Sequence, residues 1–146
     1  MKRVLQLTIA IIILSTLGAI AAQAQTTSSQ TLRANVPFTF TVGEKSLPPG
    51  VYTIRILNPA SDRKALQIRS EDGRSSAIVQ TMGVNGALID HAKIVFHRYG
   101  ERHFFAEAQL AGDTTSLTAA RTRAERATQR SIKRPADRGT VAIVAN

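Results

Sequence analysis

Cysteine and tryptophan are absent from this sequence, histidine occurs three times and tyrosine twice. Without cysteine there is neither a disulfide framework nor a lipid-modified cysteine anchor, so the folded state has to rest on a hydrophobic core alone. Internal repeats are missing too: no period of about 20 to 50 residues recurs, which excludes solenoids and propellers. The motifs of catalysis are likewise missing. There is no nucleophile elbow, no metal-protease helix motif and no phosphate-binding glycine loop, since Gly83 and Gly86 are not followed by Gly-Lys-Ser/Thr. No acidic pair is set off in an apolar context, and the serines are scattered along strand-like stretches. These absences point to a protein that is not an enzyme and carries no cofactor. Acidic residues are scarce beside basic ones, 10 against 19.

One long apolar run is present, at the N-terminus. Lys2 and Arg3 precede a nearly charge-free stretch from Val4 to Ile20, and Ala22-Gln23-Ala24 supplies a small-x-small cleavage pattern. Residues 1–24 are therefore predicted to be a signal peptide cleaved after Ala24, in preference to a retained anchor. The protein is then exported, to the periplasm or the extracellular space. Residues 25–31, rich in Thr, Ser and Gln, read as a flexible leader. Cleavage leaves 122 residues, enough for one compact domain, with 17 basic residues against 10 acidic ones.

The stretch from Leu32 to Ile56 reads as a β-hairpin. Leu32, Ala34, Val36, Phe38, Phe40 and Val42 alternate with mostly polar residues, the period of two of a half-buried strand. Gly43-Glu44-Lys45-Ser46 turns the chain, Leu47-Pro48-Pro49-Gly50 re-aims it, and Tyr52, Ile54 and Ile56 resume the alternation. A second hairpin is centred on Asp72-Gly73, where a tight turn with two positive-φ residues would pair Ile68 with Ala77 and Leu66 with Val79. Gly83-Val84-Asn85-Gly86 breaks the chain again. A third hairpin, Lys93 to Tyr99 with Arg102 to Leu110, turns at Gly100-Glu101 and holds Phe96, Phe104 and Phe105, which places it at the centre of the core. Six one-face-apolar strands in three hairpins predict an all-β fold, an antiparallel β-sandwich or partly closed small barrel over residues 32–112.

From Asp113 the composition changes to Ala, Arg, Thr and Gln, and a basic C-terminal helix is predicted over residues 113–135. Asp113, Thr114 and Ser116 are the candidate caps, Leu117, Ala120, Ala124 and Ala127 form the inward stripe, and Pro135 closes the helix. Residues 136–146 follow as a C-terminal strand or tail. Between Arg121 and Arg138 seven basic residues face only Glu125 and Asp137. On a helix Arg123, Arg126, Arg130 and Arg134 recur at intervals of three and four, a stripe of guanidinium groups suited to anion binding. Outside the cytoplasm its anions would be lipid, lipopolysaccharide or acidic polysaccharide. Nucleic acid is a poor partner for an exported chain so short of aromatic residues for base stacking.

Val36-Pro37-Phe38-Thr39-Phe40, Val42-Gly43, Leu47-Pro48-Pro49-Gly50-Val51-Tyr52 and Phe96-His97-Arg98-Tyr99-Gly100 together resemble a group of small exported all-β proteins of unknown function, common in acidobacterial-type bacteria. The resemblance covers roughly Leu32 to Gly112. It implies export and an all-β fold, and it implies no activity.

His91, His97 and His103 invite a metal hypothesis, which requires imidazoles to converge within about 2 Å of one ion. If Gly100-Glu101 is a two-residue loop, Tyr99 faces Arg102 and Arg98 faces His103, which sets His97 and His103 on opposite sides of the sheet. A three-residue loop would bring the two to one face. Either way only Asp90, Glu101 and Glu107 stand nearby as further ligands, so no metal site is expected. The expected function is an exported, non-enzymatic structural or binding module of the cell envelope or extracellular space, contacting anionic envelope components. The alternative is a small-ligand-binding or hydrolytic β-sandwich with a site near His91 to His103.

Overall fold

The computed structural model describes residues 31–146, so the predicted signal peptide and all of the leader except Thr31 lie outside it. The described chain is nearly all β. Its strands are β1 (Thr31–Val36), β2 (Phe40–Val42), β3 (Lys45–Leu47), β4 (Gly50–Ile56), β5 (Arg63–Ser70), β6 (Ser76–Asn85), β7 (Lys93–Tyr99), β8 (Arg102–Gln109), β9 (Thr115–Ala119) and β10 (Arg138–Val144). One helix, α1 (Arg123–Ser131), and one 3-10 turn (Pro135–Asp137) join β9 to β10. The ten strands belong to one sheet, with β1-β4-β5-β6-β9-β8 as its continuous run. β7 lies along one edge of β8 for its whole length and carries β10 on its far side. The other edge of β8 is shared: β2 pairs with it in parallel at His103–Phe104, and β9 pairs antiparallel at Glu107–Gln109. The ladder does not close, but just beyond β10 the backbones of Asn146 and Arg33 exchange hydrogen bonds of 2.8 and 2.9 Å.

The expected first pairing is present between β1 and β4, Leu32 opposite Ile54 and Ala34 opposite Tyr52, while Lys45 and Ser46, expected in its turn, lie in β3 and leave Gly43-Glu44 as the turn. The first arm of the expected hairpin, however, is two strands rather than one. Pro37 has no N–H to give to a ladder, so β1 ends at Val36, and β2 turns away to pair with β3 and β8. The alternation survives the break: Leu32, Ala34, Val36, Phe40 and Val42 are all buried, and Phe38 packs against them from the rim. Tyr52 ties the Pro48-Pro49 loop down through its hydroxyl, which donates to the Pro48 carbonyl at 2.6 Å. Phe40 meets Tyr52 and Phe96 edge-on at centroid distances of 5.0 and 5.2 Å, at the heart of the core.

In the second hairpin Ile68 faces Ala77 and Leu66 faces Val79, as expected. The turn differs from the expected one. Only Gly73 has positive φ (73°), and the loop is wider: Ser70 N–H donates to the Ser75 carbonyl and Gly73 N–H to the Ser70 carbonyl. Asp72 braces it, its carboxylate accepting from the Ser70 hydroxyl and the Arg74 N–H, contacts that hold this carboxyl below its ordinary range. The Gly83-Val84-Asn85-Gly86 break also differs, because β6 runs on through Asn85 and pairs with β9. Gly83 serves close approach there rather than a turn, since a Cβ would sit 3.1 Å from Thr115 Cγ2.

The predicted helix over residues 113–135 is the largest correction. Thr115–Ala119 is β9, a strand set between β6 and β8, and the helix occupies only Arg123–Ser131. Thr122 caps it in place of Asp113, Thr114 or Ser116, and Pro135 opens the following 3-10 turn instead of closing the helix. β10 then returns to the body and completes the sheet beside β7, as the expected C-terminal strand.

Candidate functional site

The third hairpin takes the two-residue loop: Tyr99 faces Arg102 and Arg98 faces His103 across Gly100, whose φ is +60°. His97 and His103 therefore lie on opposite sides. The same register sets Phe96 opposite Phe105 on the core side, and beyond it a shift between Val95 and Phe96 leaves one extra residue, Ala106, in β8. Phe104 is not in that core. Opposite His97, it is buried on the outer side of the sheet, where its ring meets Tyr99 at 5.9 Å.

Helix α1 covers this outer patch. Thr122 and Glu125 begin the helix as a capping box does, the Thr122 hydroxyl accepting from the Glu125 N–H at 3.1 Å. The Glu125 side chain then turns inward and is only 3% exposed. Its Oε1 lies 2.7 Å from His97 Nδ1, accepts from the Tyr99 hydroxyl at 3.1 Å and stands 3.7 Å from Arg121 Nε. One turn on, buried Thr128 accepts from Arg102 Nη1 at 3.2 Å and donates to the Ala124 carbonyl. Burial, and after it the Glu125 charge, pushes the Tyr99 hydroxyl above the ordinary tyrosine range. The helix thus docks through polar contacts to a buried carboxylate, which is stable only because each partner is satisfied.

This inverts the expected faces of the helix. Ala124 and Ala127, read as the inward stripe, are exposed, because alanine methyls offer little area whereas His97, Tyr99 and Arg102 offer hydrogen-bond partners. Arg123, Arg126 and Arg130 lie opposite Glu125 and Thr128, exposed, and none of them forms an ion pair among the described residues. Arg134 is not on the stripe: the helix ends at Ser131, and Arg134 is exposed at the start of the 3-10 turn. Glu125 and Thr122 are the residues that sequence reasoning passed over, although Thr122-x-x-Glu125 is a legible helix-start signal.

The histidines do not gather. His91 is exposed in the loop before β7, His97 is held by Glu125, and the His103 ring stacks on Phe38 at 3.9 Å. Among the described residues no group of three or more His, Cys, Asp and Glu side chains is placed to hold a metal. His103 borders a shallow hollow of about 440 Å³ with Thr39, Thr41, Glu44, Ser46 and Glu101, while its Nδ1 is shut away from solvent with no hydrogen-bond partner among the described residues. Burial first, and the Arg98 guanidinium second, hold this imidazole below its ordinary value of 6.5. The unfolded chain therefore takes up a proton as pH falls through about 6.5 while the folded protein does so only lower down, and stability declines across that window. His103→Phe keeps a ring on Phe38 and cannot titrate. Its urea midpoint is expected to fall less than the wild-type midpoint between about pH 7.5 and pH 5.5, and equal falls would assign the acid sensitivity to other groups.

Fold and site together define an all-β protein with one polar-docked helix that presents an arginine face. No protein-family model, no curated protein and no solved structure matches the chain.

Proposed function

We propose that the protein is an exported, non-enzymatic binding module of the cell envelope or extracellular space that contacts anionic envelope components through the outward face of α1. One observation carries the reading: the helix's single carboxylate, Glu125, is turned inward and engaged, so the solvent face of α1 holds Arg123, Arg126 and Arg130 without an acid among them. A docked helix needs no further backbone ordering on binding, and its guanidinium groups can grip phosphate or carboxylate in pairs. Arg134, exposed beyond the helix, adds charge at its end. The N-terminal signal-peptide pattern supports export, as does the resemblance of residues 32–112 to small exported β-proteins. The exchange of backbone bonds between Arg33 and Asn146 supports a partly closed barrel over two separate sheets.

The test is binding to anionic vesicles, lipopolysaccharide and acidic polysaccharide at low salt, with Arg123, Arg126 and Arg130 changed together to Gln. At about 1 kcal/mol for each basic residue at an anionic surface, the triple variant should bind about a hundredfold more weakly with its urea midpoint unchanged. Arg134→Gln on top should take away less than any one helix position. Wild-type binding should also fall steeply with salt. Equal retention of wild-type and triple-Gln proteins would reject the helix face as the contact.

A further inference from the structure

A second exposed surface lies elsewhere on the sheet. Strands β1, β4, β5 and β6 are consecutive neighbours, and they contain Arg33, Arg55, Arg63, Lys64 and Arg69 but no acidic residue. The acids of this region, Asp62, Glu71 and Asp72, sit in the turns. Glu71 pairs with Arg33 and Asp72 with Arg74, whereas Arg55, Arg63 and Arg69 have no ion-pair partner among the described residues. Residues directly opposite one another share a face, and the register is explicit: Arg55 faces Gln67, which faces Ile78, while Arg63 faces Met82. The outward side of β6 therefore carries Ile78, Gln80, Met82 and Val84, the three aliphatic ones exposed at 59%, 59% and 50%, with arginine along the β4–β5 side and Thr118 and Ser116 of β9 on the other. The strip is about 20 Å long at the rise of a β-strand. Leu88, just past the strand, is more exposed still.

Large aliphatic side chains left in water cost free energy, and a run of them on one strand marks a contact surface. The charge beside the strip selects the occupant. A soluble polyanion would use the guanidinium groups and leave the aliphatic strip wet, and a protein partner would have to set an acidic row beside an apolar one to match the β4–β5 arginines and the β6 strip. An anionic bilayer offers both chemistries in one plane, apolar acyl boundary beside headgroup phosphate. We infer that the outer face of β4–β6 is a lipid-contact surface, in which Ile78, Met82 and Val84 enter the headgroup boundary while Arg55, Arg63 and Arg69 meet lipid phosphates. This surface is separate from α1, which docks on β7 and β8, and it goes beyond the contact proposed for the helix by committing to a membrane.

The absence of cysteine makes the test direct, because Met82→Cys accepts a single polarity-sensitive fluorophore and Ala136→Cys, beyond α1, reports the helix side. In anionic vesicles the label at 82 should shift to the blue and be quenched by brominated acyl chains. Ile78→Ser with Val84→Ser in that labelled protein should abolish the shift and weaken binding about tenfold, with the fold intact because both positions are exposed. A silent label at 82 in vesicles overturns the inference whether or not the label at 136 responds, which keeps the two surfaces distinguishable. An equal response to neutral vesicles would reject the arginine contribution, and with it the anionic partner. A shift produced by soluble acidic polysaccharide, or by raising protein concentration without lipid, would assign the strip to a polyanion or to a second copy instead.

Discussion

Phe40→Ala should unfold much of the protein, with a loss of about 3 to 5 kcal/mol set against the 5 to 15 that a domain of this size commonly has. Phe40 is 2% exposed, and its ring is the hinge of an edge-to-face chain running from Tyr52 through Phe40 to Phe96 and on to Phe105. Each such pair adds about 0.5 to 1.5 kcal/mol beyond the area it buries. The strand it sits on magnifies the effect. β2 has three residues and only two paired positions with β8, so its hold on the sheet rests on few buried side chains, of which Phe40 is the largest beside Val42. Thr39→Ala, one residue away and exposed, should cost less than about 1 kcal/mol. Urea midpoints of the two variants give the comparison, and equal shifts would mean that the inward register of β2 is misassigned.

Glu125→Ala is the second large effect, expected at about 2 to 4 kcal/mol, because it strands the buried Tyr99 hydroxyl and the partly buried His97 imidazole at once. His97 Nδ1 and the Tyr99 hydroxyl both meet the same carboxylate oxygen, and neither makes another side-chain hydrogen bond among the described residues. Glu125→Gln keeps an acceptor in place and should lose roughly half as much. Hydrogen exchange separates this local damage from global loss: the amides of α1 should exchange faster while those of β5 and β6 stay protected. The variant also opposes position to charge. Removing an acid makes the chain more basic, so bulk electrostatics alone would tighten binding to anionic vesicles, whereas an arginine face held in place by Glu125 should bind more weakly once the helix comes loose. Tighter binding by Glu125→Ala would show that the orientation of the helix contributes nothing.

The sequence was most legible where parity governs. The pairing of Leu66 with Val79 came out correctly although the turn did not, because a two-residue and a four-residue loop centred on Asp72 and Gly73 share one register. The same parity held the Leu32-to-Val42 alternation across the break at Pro37. Legibility failed where a segment's state is set by distant neighbours. Thr115-Ser-Leu-Thr-Ala119 has too few aliphatic groups to announce a strand, and it is one because β6 and β8 both offer it an edge. Nothing local to an arginine-rich segment says that its one glutamate faces inward; His97 and Tyr99, supplied by β7, decide that. The site was half visible. Arg123, Arg126 and Arg130 share a face as their spacing required, while Arg134 was lost to a helix end that no glycine or proline marked.

The meeting of Arg33 with Asn146 also bears on the order of assembly. These residues stand near opposite ends of the described chain, so the loop they close is among the longest in the protein, and bonds of that kind form only after the shorter hairpins have narrowed the search. Loop length therefore places the join late, after β1 has seated on β4 and β10 on β7, as an expected closing step of folding. The same arithmetic runs backwards. Among the described residues no strand pairing continues the two backbone bonds of this seam, so transient opening of the native state should begin there and leave the β4–β5–β6 meander standing.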